Sequence, residues 1–167
     1  YLYRWTGEAR YGDMIERALL NGILAAQNPA DGMLIYYLPM KRGLRKVFGT
    51  PRDSFWCCYG TGVQSFASLT REIYFQTHDG VLVNLFVPSE LRFRAGGQEV
   101  RLIQRTGFPA EGETRLTLHL ARSASFALRL RVPEWVGRGY AIRVNGARRR
   151  LAVRPGSIAA VARQWRD

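Results

Sequence analysis

Apolar residues in the first 75 positions recur at helical spacing. In EARYGDMIERALLNGILAAQN, Tyr11, Met14, Ile15, Ala18, Leu19, Gly22 and Ile23 share one stripe near the 3.6-residue period. This predicts an amphipathic helix, which Asn28-Pro29 and Asp31-Gly32 stop. A second helix is predicted from Thr61 or Gly62 through GVQSFASLTREIYFQ, with Val63, Phe66, Ala67, Leu69, Ile73 and Tyr74 on its apolar face. Between the two lies a long connection, Ala30 to Gly60. It holds GMLIYYLPM, predicted as a short strand, and the glycine-rich, basic KRGLRKVFGTP. A connection of that length is functional or disordered, and Phe55, Trp56 and Tyr59 argue against disorder.

Near residue 76 the period changes to two. DGVLVNLFVPSEL follows a turn at Asp79-Gly80, TRLTLHLA aligns Leu116, Leu118 and Leu120, and SFALRLRVPEW aligns Phe126, Leu128, Leu130 and Val132. YAIRVNG ends in Asn145-Gly146, a hairpin signal. Short strands separated by turns predict an antiparallel sheet or sandwich. The chain thus reads as two regions, a helical 1–75 and an all-β 76–167, both expected to be incomplete.

Composition changes this picture little. The 167 residues are 47% hydrophobic and 23% charged, as in an ordinary globular protein, and no apolar run approaches the ~20 residues of a membrane span. The first residues show no signal-peptide pattern and no initiator methionine, so an internal piece of a longer gene product is expected and the compartment stays open. The net charge of +12 invites a nucleic-acid partner. However, Lys41 and Lys46 are the only lysines, an arginine bias that genome composition explains first. Residues 1–75 carry nine bases and six acids, and residues 76–167 carry sixteen and seven. Most of the later arginines alternate with apolar residues, so Arg129 and Arg131 are expected on the outward phase of a strand. Only Arg148–Arg150 form a run. A solvated strand face is preferred over a nucleic-acid surface, and no partner of that kind is expected.

The chemistry concentrates in DSFWCCYGTG. Cys57 and Cys58 are the only cysteines. Neighbouring cysteines bond to each other only in a strained ring, but they can bind a soft metal together or supply one activated thiolate and one helper. His78, in the predicted turn THDG, and His119, alternating within a strand, do not complete a zinc set. The pair is expected just before the second helix, where helix-end potential favours a thiolate. Two buried cysteines acting as small apolar residues would be the structural alternative; the flanking aromatics and glycines favour a pocket. Asp13 and Glu16, spaced i,i+3 beside Arg10 and Arg17, are expected to form surface ion pairs. Asp53 is a candidate for orienting the cysteine loop.

FWCCYGTGVQSFASL, with RWTGEARYGDMIERALLNGILAAQ, YYLPMKRGLRKVFGTP and LRLRVPEW…IRVNG, resembles glycoside hydrolase families 127 and 146, the β-L-arabinofuranosidases and their relatives. The likeness covers nearly the whole chain. It implies the C-terminal portion of an (α/α)6 barrel over 1–75 and an antiparallel β-sandwich over 76–167. It also implies a retaining glycosidase acting on plant-type glycans, with zinc held by one glutamate and three cysteines. In that resemblance Cys57 is the nucleophile and a zinc ligand, Cys58 is a zinc ligand, and Tyr36 (or else Tyr37) faces the sugar. The other two zinc ligands, the acid/base glutamate and the sugar-binding histidines belong upstream of the segment matching YRWTGEARY. The 167 residues alone are therefore expected to be inactive. A non-catalytic carbohydrate-binding or structural β-domain is the alternative.

Overall fold

A computed structural model describes residues 2–137, 139–151 and 153–167. The chain divides into two compact units, residues 14–70 and residues 1–13 with 71–167.

In the second of these, two sheets carry the core. β1 (Tyr74–Thr77) turns through His78-Asp79 into β2 (Gly80–Val83). The chain then leaves to build β3 (Ser89–Ala95), β4 (Gln98–Thr106) and β5 (Thr114–Leu120), an antiparallel sheet of its own. It returns as β6 (Ala124–Val132), which lies parallel to β2 and antiparallel to β9 (Ser157–Trp165). The first sheet, ordered β1-β2-β6-β9, is therefore mixed rather than purely antiparallel. Parallel neighbours need a long crossover connection, and here the three strands β3–β5 supply it between β2 and β6. Val81, Val83 and Leu128 of the mixed sheet share one apolar cluster with Leu102 of the three-stranded sheet, and Leu91, Phe93, Leu116 and Leu118 pack against it. Burying each such side chain contributes about 2 kcal/mol. The Asn145-Gly146 signal is realised: β7 (Arg143–Val144) and β8 (Ala147–Arg148) pair across it, with φ of 50° and 81° at the two turn residues.

Short helix α1 (Leu2–Thr6) and the start of α2 (Ala9–Ala18) belong to this same unit, and here two expectations are overturned. Asp13 is buried, as is Glu16 in the 14–70 unit, and Arg131, expected to face outward, is completely so. Arg131 Nη1 donates to Asp13 Oδ1 at 2.5 Å and its Nε donates to the Asn84 carbonyl at 2.8 Å. The Glu134 amide also donates to Asp13 Oδ1, and Asn84 Nδ2 donates to the Glu72 carbonyl. Alternation along β6 correctly separates Arg131 from Leu130 and Val132, but helical residues cover the face it points from. A Cβ on Gly12 would stand 2.5 Å from Arg131 Cδ, so only glycine admits this approach.

In the unit of residues 14–70, α2 runs into a π-helical turn (Leu19–Ile23) and a 3₁₀ turn (Leu24–Ala26). Asn28 and Asp31 then bond forward to the amides of Ala30 and Met33, and Gly32 takes a φ of 78°. The strand expected in GMLIYYLPM reduces to two isolated bridges, Gln27 with Leu34 and Ile35 with Phe48. Helix α3 (Cys57–Ser68) begins at the cysteines themselves, four residues before Thr61 and five before Gly62, the expected starts, and ends in a 3₁₀ turn, Leu69–Glu72. Tyr74, Phe75 and Gln76 leave the predicted helix for β1, because pairing with β2 satisfies their backbone.

Candidate active site around Cys57

Three local features bring one tyrosine onto one cysteine. Trp56, with extended backbone, precedes α3, so Cys57 and Cys58 occupy its first two helical positions. Those amides have no partner within the helix, and the aligned peptide dipoles favour negative charge there. One turn on, Thr61 Oγ1 donates to the Cys57 carbonyl. Next to it Gly62 admits Leu34, whose Cδ1 would lie 2.5 Å from any Cβ at that position. Leu34 and Ile35 are pinned in turn by Gly49 N to Leu34 O at 2.8 Å and Ile35 N to Ala26 O at 2.9 Å. The segment 34–36 is thus laid against the start of α3, and Tyr36 follows directly.

The Tyr36 hydroxyl sits 3.7 Å from Cys57 Sγ, and Cys57 Sγ sits 3.8 Å from Cys58 Sγ. Both thiols are free and exposed. Tyr36 is held in an aromatic cage. Trp56 meets it edge-on at 5.2 Å, Tyr37 edge-on at 4.5 Å, and Tyr59 obliquely at 5.9 Å. Gly49 permits the loop to close on Tyr59 and Ser54: a Cβ there would lie 2.9 Å from Tyr59 Cε1 and 2.6 Å from Ser54 Oγ. The loop is tied at its base where Thr50 N donates to Ser54 Oγ at 2.7 Å and Asp53 N to Thr50 Oγ1 at 3.3 Å. Thr50 Oγ1 also approaches Asp53 Oδ2 at 3.4 Å, so Asp53 contributes to loop shape.

The electrostatics favour one thiolate. The Tyr36 hydroxyl, and secondly the Cys58 thiol, hydrogen-bond to Cys57 and lower its pKa below the ordinary thiol value. Reciprocally, the bonds to Cys57 raise the pKa values of Tyr36 and Cys58. Negative charge is therefore easier to place on Cys57 than on Cys58 or Tyr36, with those two groups as donors to it.

Two zinc–sulfur bonds of about 2.3 Å at a tetrahedral angle separate their sulfurs by about 3.8 Å. The observed Sγ–Sγ spacing matches that span. The two cysteines thus fit half a zinc set, and among the described residues no group of three or more His, Cys, Asp and Glu completes one. His78 is exposed in the β1–β2 turn, and His119 is exposed on β5 with Nδ1 3.2 Å from Asp167 Oδ1. Of the two sugar-facing candidates, Tyr36 lies 3.7 Å from the Cys57 sulfur, while Tyr37 is exposed and meets the Tyr36 ring edge-on. The cage role of Trp56 and Tyr59 was signalled in sequence only by their proximity to the cysteines.

Sequence models of one known family match both parts of the chain. Residues 1–71 match the catalytic domain of the family 127 β-L-arabinofuranosidases, and residues 80–167 match their middle domain. The chain belongs to glycoside hydrolase family 127. A non-reducing end β-L-arabinofuranosidase of Bifidobacterium longum subsp. longum is 29% identical over 155 residues, covering 83% of this chain and 23% of that protein. The crystal structure of a family 127 β-L-arabinofuranosidase from Geobacillus stearothermophilus T6 superposes with a TM-score of 0.83 at 27% identity, covering 99% of this chain and 28% of that one. A further structure described as a glycoside hydrolase gives a TM-score of 0.82 at 25% identity, over 99% and 29%. The chain spans about a quarter of the length of these relatives. Among the described residues, no helix is long and apolar enough to cross a membrane.

Proposed function

We propose that this chain is part of a retaining glycosidase that releases β-L-arabinofuranose from plant-type glycans, with Cys57 as the nucleophile. The observation that carries it is the Tyr36 hydroxyl 3.7 Å from a Cys57 sulfur at the first position of a helix. The Cys57 thiolate attacks the anomeric carbon, forming a C–S bond as the C–O bond to the aglycone breaks. The departing oxygen takes its proton from a glutamic acid, which the family resemblance places outside these 167 residues. Water then gives a proton back to that glutamate as it attacks the same carbon, displaces the thiolate and yields the sugar with its original configuration. Tyr36 donates to the sulfur whenever it is an anion, and the aromatic cage keeps that donor aimed.

Cys57 and Cys58 would hold two corners of a zinc site. When bound, zinc lowers a coordinated thiol's pKa and fixes its direction. Residues 1–75 form, in this proposal, the C-terminal portion of an (α/α)6 barrel and residues 76–167 a β-sandwich. The isolated 167 residues are inactive, since acid/base and metal donors come from elsewhere.

The test is the protein extended upstream, assayed on an aryl β-L-arabinofuranoside beside Cys57→Ser. Turnover should fall by about 10³-fold or more, and a mechanism-based inactivator should add its mass to the peptide carrying Cys57. Metal analysis should find one zinc per chain, lost in Cys58→Ser. Undiminished turnover in Cys57→Ser, or a label on another residue, would overturn the assignment.

A further inference from the structure

The arginines of the sheet unit fall into two populations. Most on β3–β6 have a carboxylate: Arg92 and Arg101 share Glu90, Arg115 meets Glu113, Arg129 meets Asp79, and Arg131 meets Asp13. Beyond Glu134 the supply of carboxylates ends. No Asp or Glu occurs between Glu134 and Asp167, while Arg138, Arg143, Arg148, Arg149, Arg150, Arg154, Arg163 and Arg166 do. Arg143 and Arg148 are direct cross-strand partners on the β7–β8 hairpin, and both are exposed. Like charges placed opposite each other weaken a ladder, and this ladder has only two pairs to spend. Arg149 and Arg150 follow at once, also exposed, so four exposed arginines lie on the hairpin and the two residues after it.

The tip is anchored. Arg149 N donates to the Ile142 carbonyl at 2.8 Å. Ile142 is buried in a cluster with Val132, Ala159 and Val161, against which Tyr140, Val144, Leu151 and Val153 pack. The cationic groups are therefore displayed on a rigid support. Guanidinium forks match carboxylates bidentately.

We infer that the β7–β8 hairpin is a docking surface for carboxylate-bearing glycan chains, in which uronate groups neutralise Arg143, Arg148, Arg149 and Arg150. The choice of an acidic glycan over a nucleic acid rests on the glycosidase reading above and on composition. Residues 141–154, the hairpin with its flanks, include no aromatic side chain for stacking bases. Such a surface would hold a charged polysaccharide while its neutral side chains are processed elsewhere in the enzyme.

The experiment is binding of the full-length protein to polygalacturonate, read by calorimetry at low salt, beside fully methyl-esterified polygalacturonate as the uncharged control. The unesterified polymer should bind at least tenfold tighter than the ester. Arg148→Glu combined with Arg149→Ala should remove that preference. Arg148→Glu alone places opposite charges across the hairpin, so it should raise the melting temperature while weakening binding, a combination that mere loss of folding cannot produce. Equal affinity for the two polymers, or undiminished binding by the double variant, would overturn the inference. So would duplex DNA binding more tightly than polygalacturonate at matched charge and salt. Because no turnover is read, each of these outcomes leaves the role of Cys57 standing or falling by its own assay.

Discussion

The two units handle exposed chemistry in opposite ways. In the sheet unit, nine-residue strands pair along their full length, and Val83, Val100, Leu102 and Val132 are wholly buried. It even encloses one charge pair, Arg131 with Asp13. The 14–70 unit has one regular helix of its own, two isolated bridges, and a loop whose Met40, Phe55 and Tyr37 are 89%, 81% and 78% exposed. Yet this unit carries both free thiols. Its order comes from a few tight contacts at Gly49, Gly62 and the aromatic cage rather than from a continuous core. The difference teaches that reactivity here is held by local geometry, while stability is concentrated in the sheets.

The largest effect should come from breaking the internal charge pair. Asp13→Ala leaves the Arg131 guanidinium buried without that carboxylate, at a cost of about 3–5 kcal/mol. Replacing both, Asp13→Leu with Arg131→Met, should recover more than half of that loss in chemical denaturation. A double variant as unstable as the single one would show that the pair is not what ties these residues together. Next comes Gly80→Ala, whose new Cβ would fall 2.0 Å from the Ala127 carbonyl oxygen. The parallel β2–β6 register cannot absorb that, and about 3 kcal/mol should be lost in the same measurement. An unchanged denaturation midpoint would mean the parallel pairing is looser than described.

These two sites also mark where sequence stops being informative. The Asn145-Gly146 turn was legible because both residues tolerate positive φ, a purely local property. The strand phases of β5 and β6 were legible for the same reason. What was illegible depends on partners far away in the chain. Alternation tells which β6 residues share a face but not that residues 118 positions earlier will cover it, so Arg131 was misplaced. Likewise Gly60, Thr61 and Gly62 look like punctuation before a helix. In the fold they sit inside one, because Thr61 bonds back to Cys57 and Gly62 makes room for Leu34. The double cysteine and its aromatics singled out the site. The loop crossing that brings the Tyr36 hydroxyl to the Cys57 sulfur did not exist until the chain was folded.

A smaller effect probes the other side of the comparison. Hydrogen bonding from Tyr36 lowers the Cys57 pKa, so Cys57 should alkylate with iodoacetamide at a lower pH than Cys58, whose pKa is raised. Peptide mapping of metal-free protein across a pH series separates the two. Tyr36→Phe removes the largest contribution and should move the Cys57 midpoint upward while leaving global stability nearly untouched. If Tyr36→Phe lowered stability as much as it changed reactivity, the cage would be a core in its own right and the contrast between the units would weaken.

The smallest expected effect lies on the sheet unit's surface. Arg129 forks onto Asp79 in the β1–β2 turn and holds its carboxyl at a pKa of about 2, against an ordinary 3.8. A folded pKa below the unfolded one contributes stability above the unfolded value, and that contribution disappears as pH falls through the folded value. The melting temperature should therefore decline between about pH 4 and pH 2 by more in the wild type than in Asp79→Asn. Solvent screening keeps the difference small, since the Asp79 side chain is 40% exposed. Added salt should shrink it further, whereas the Arg131–Asp13 pair, sealed from solvent, should respond little to the same salt. A salt response shared equally by both would remove the distinction between a surface clasp and an internal tie.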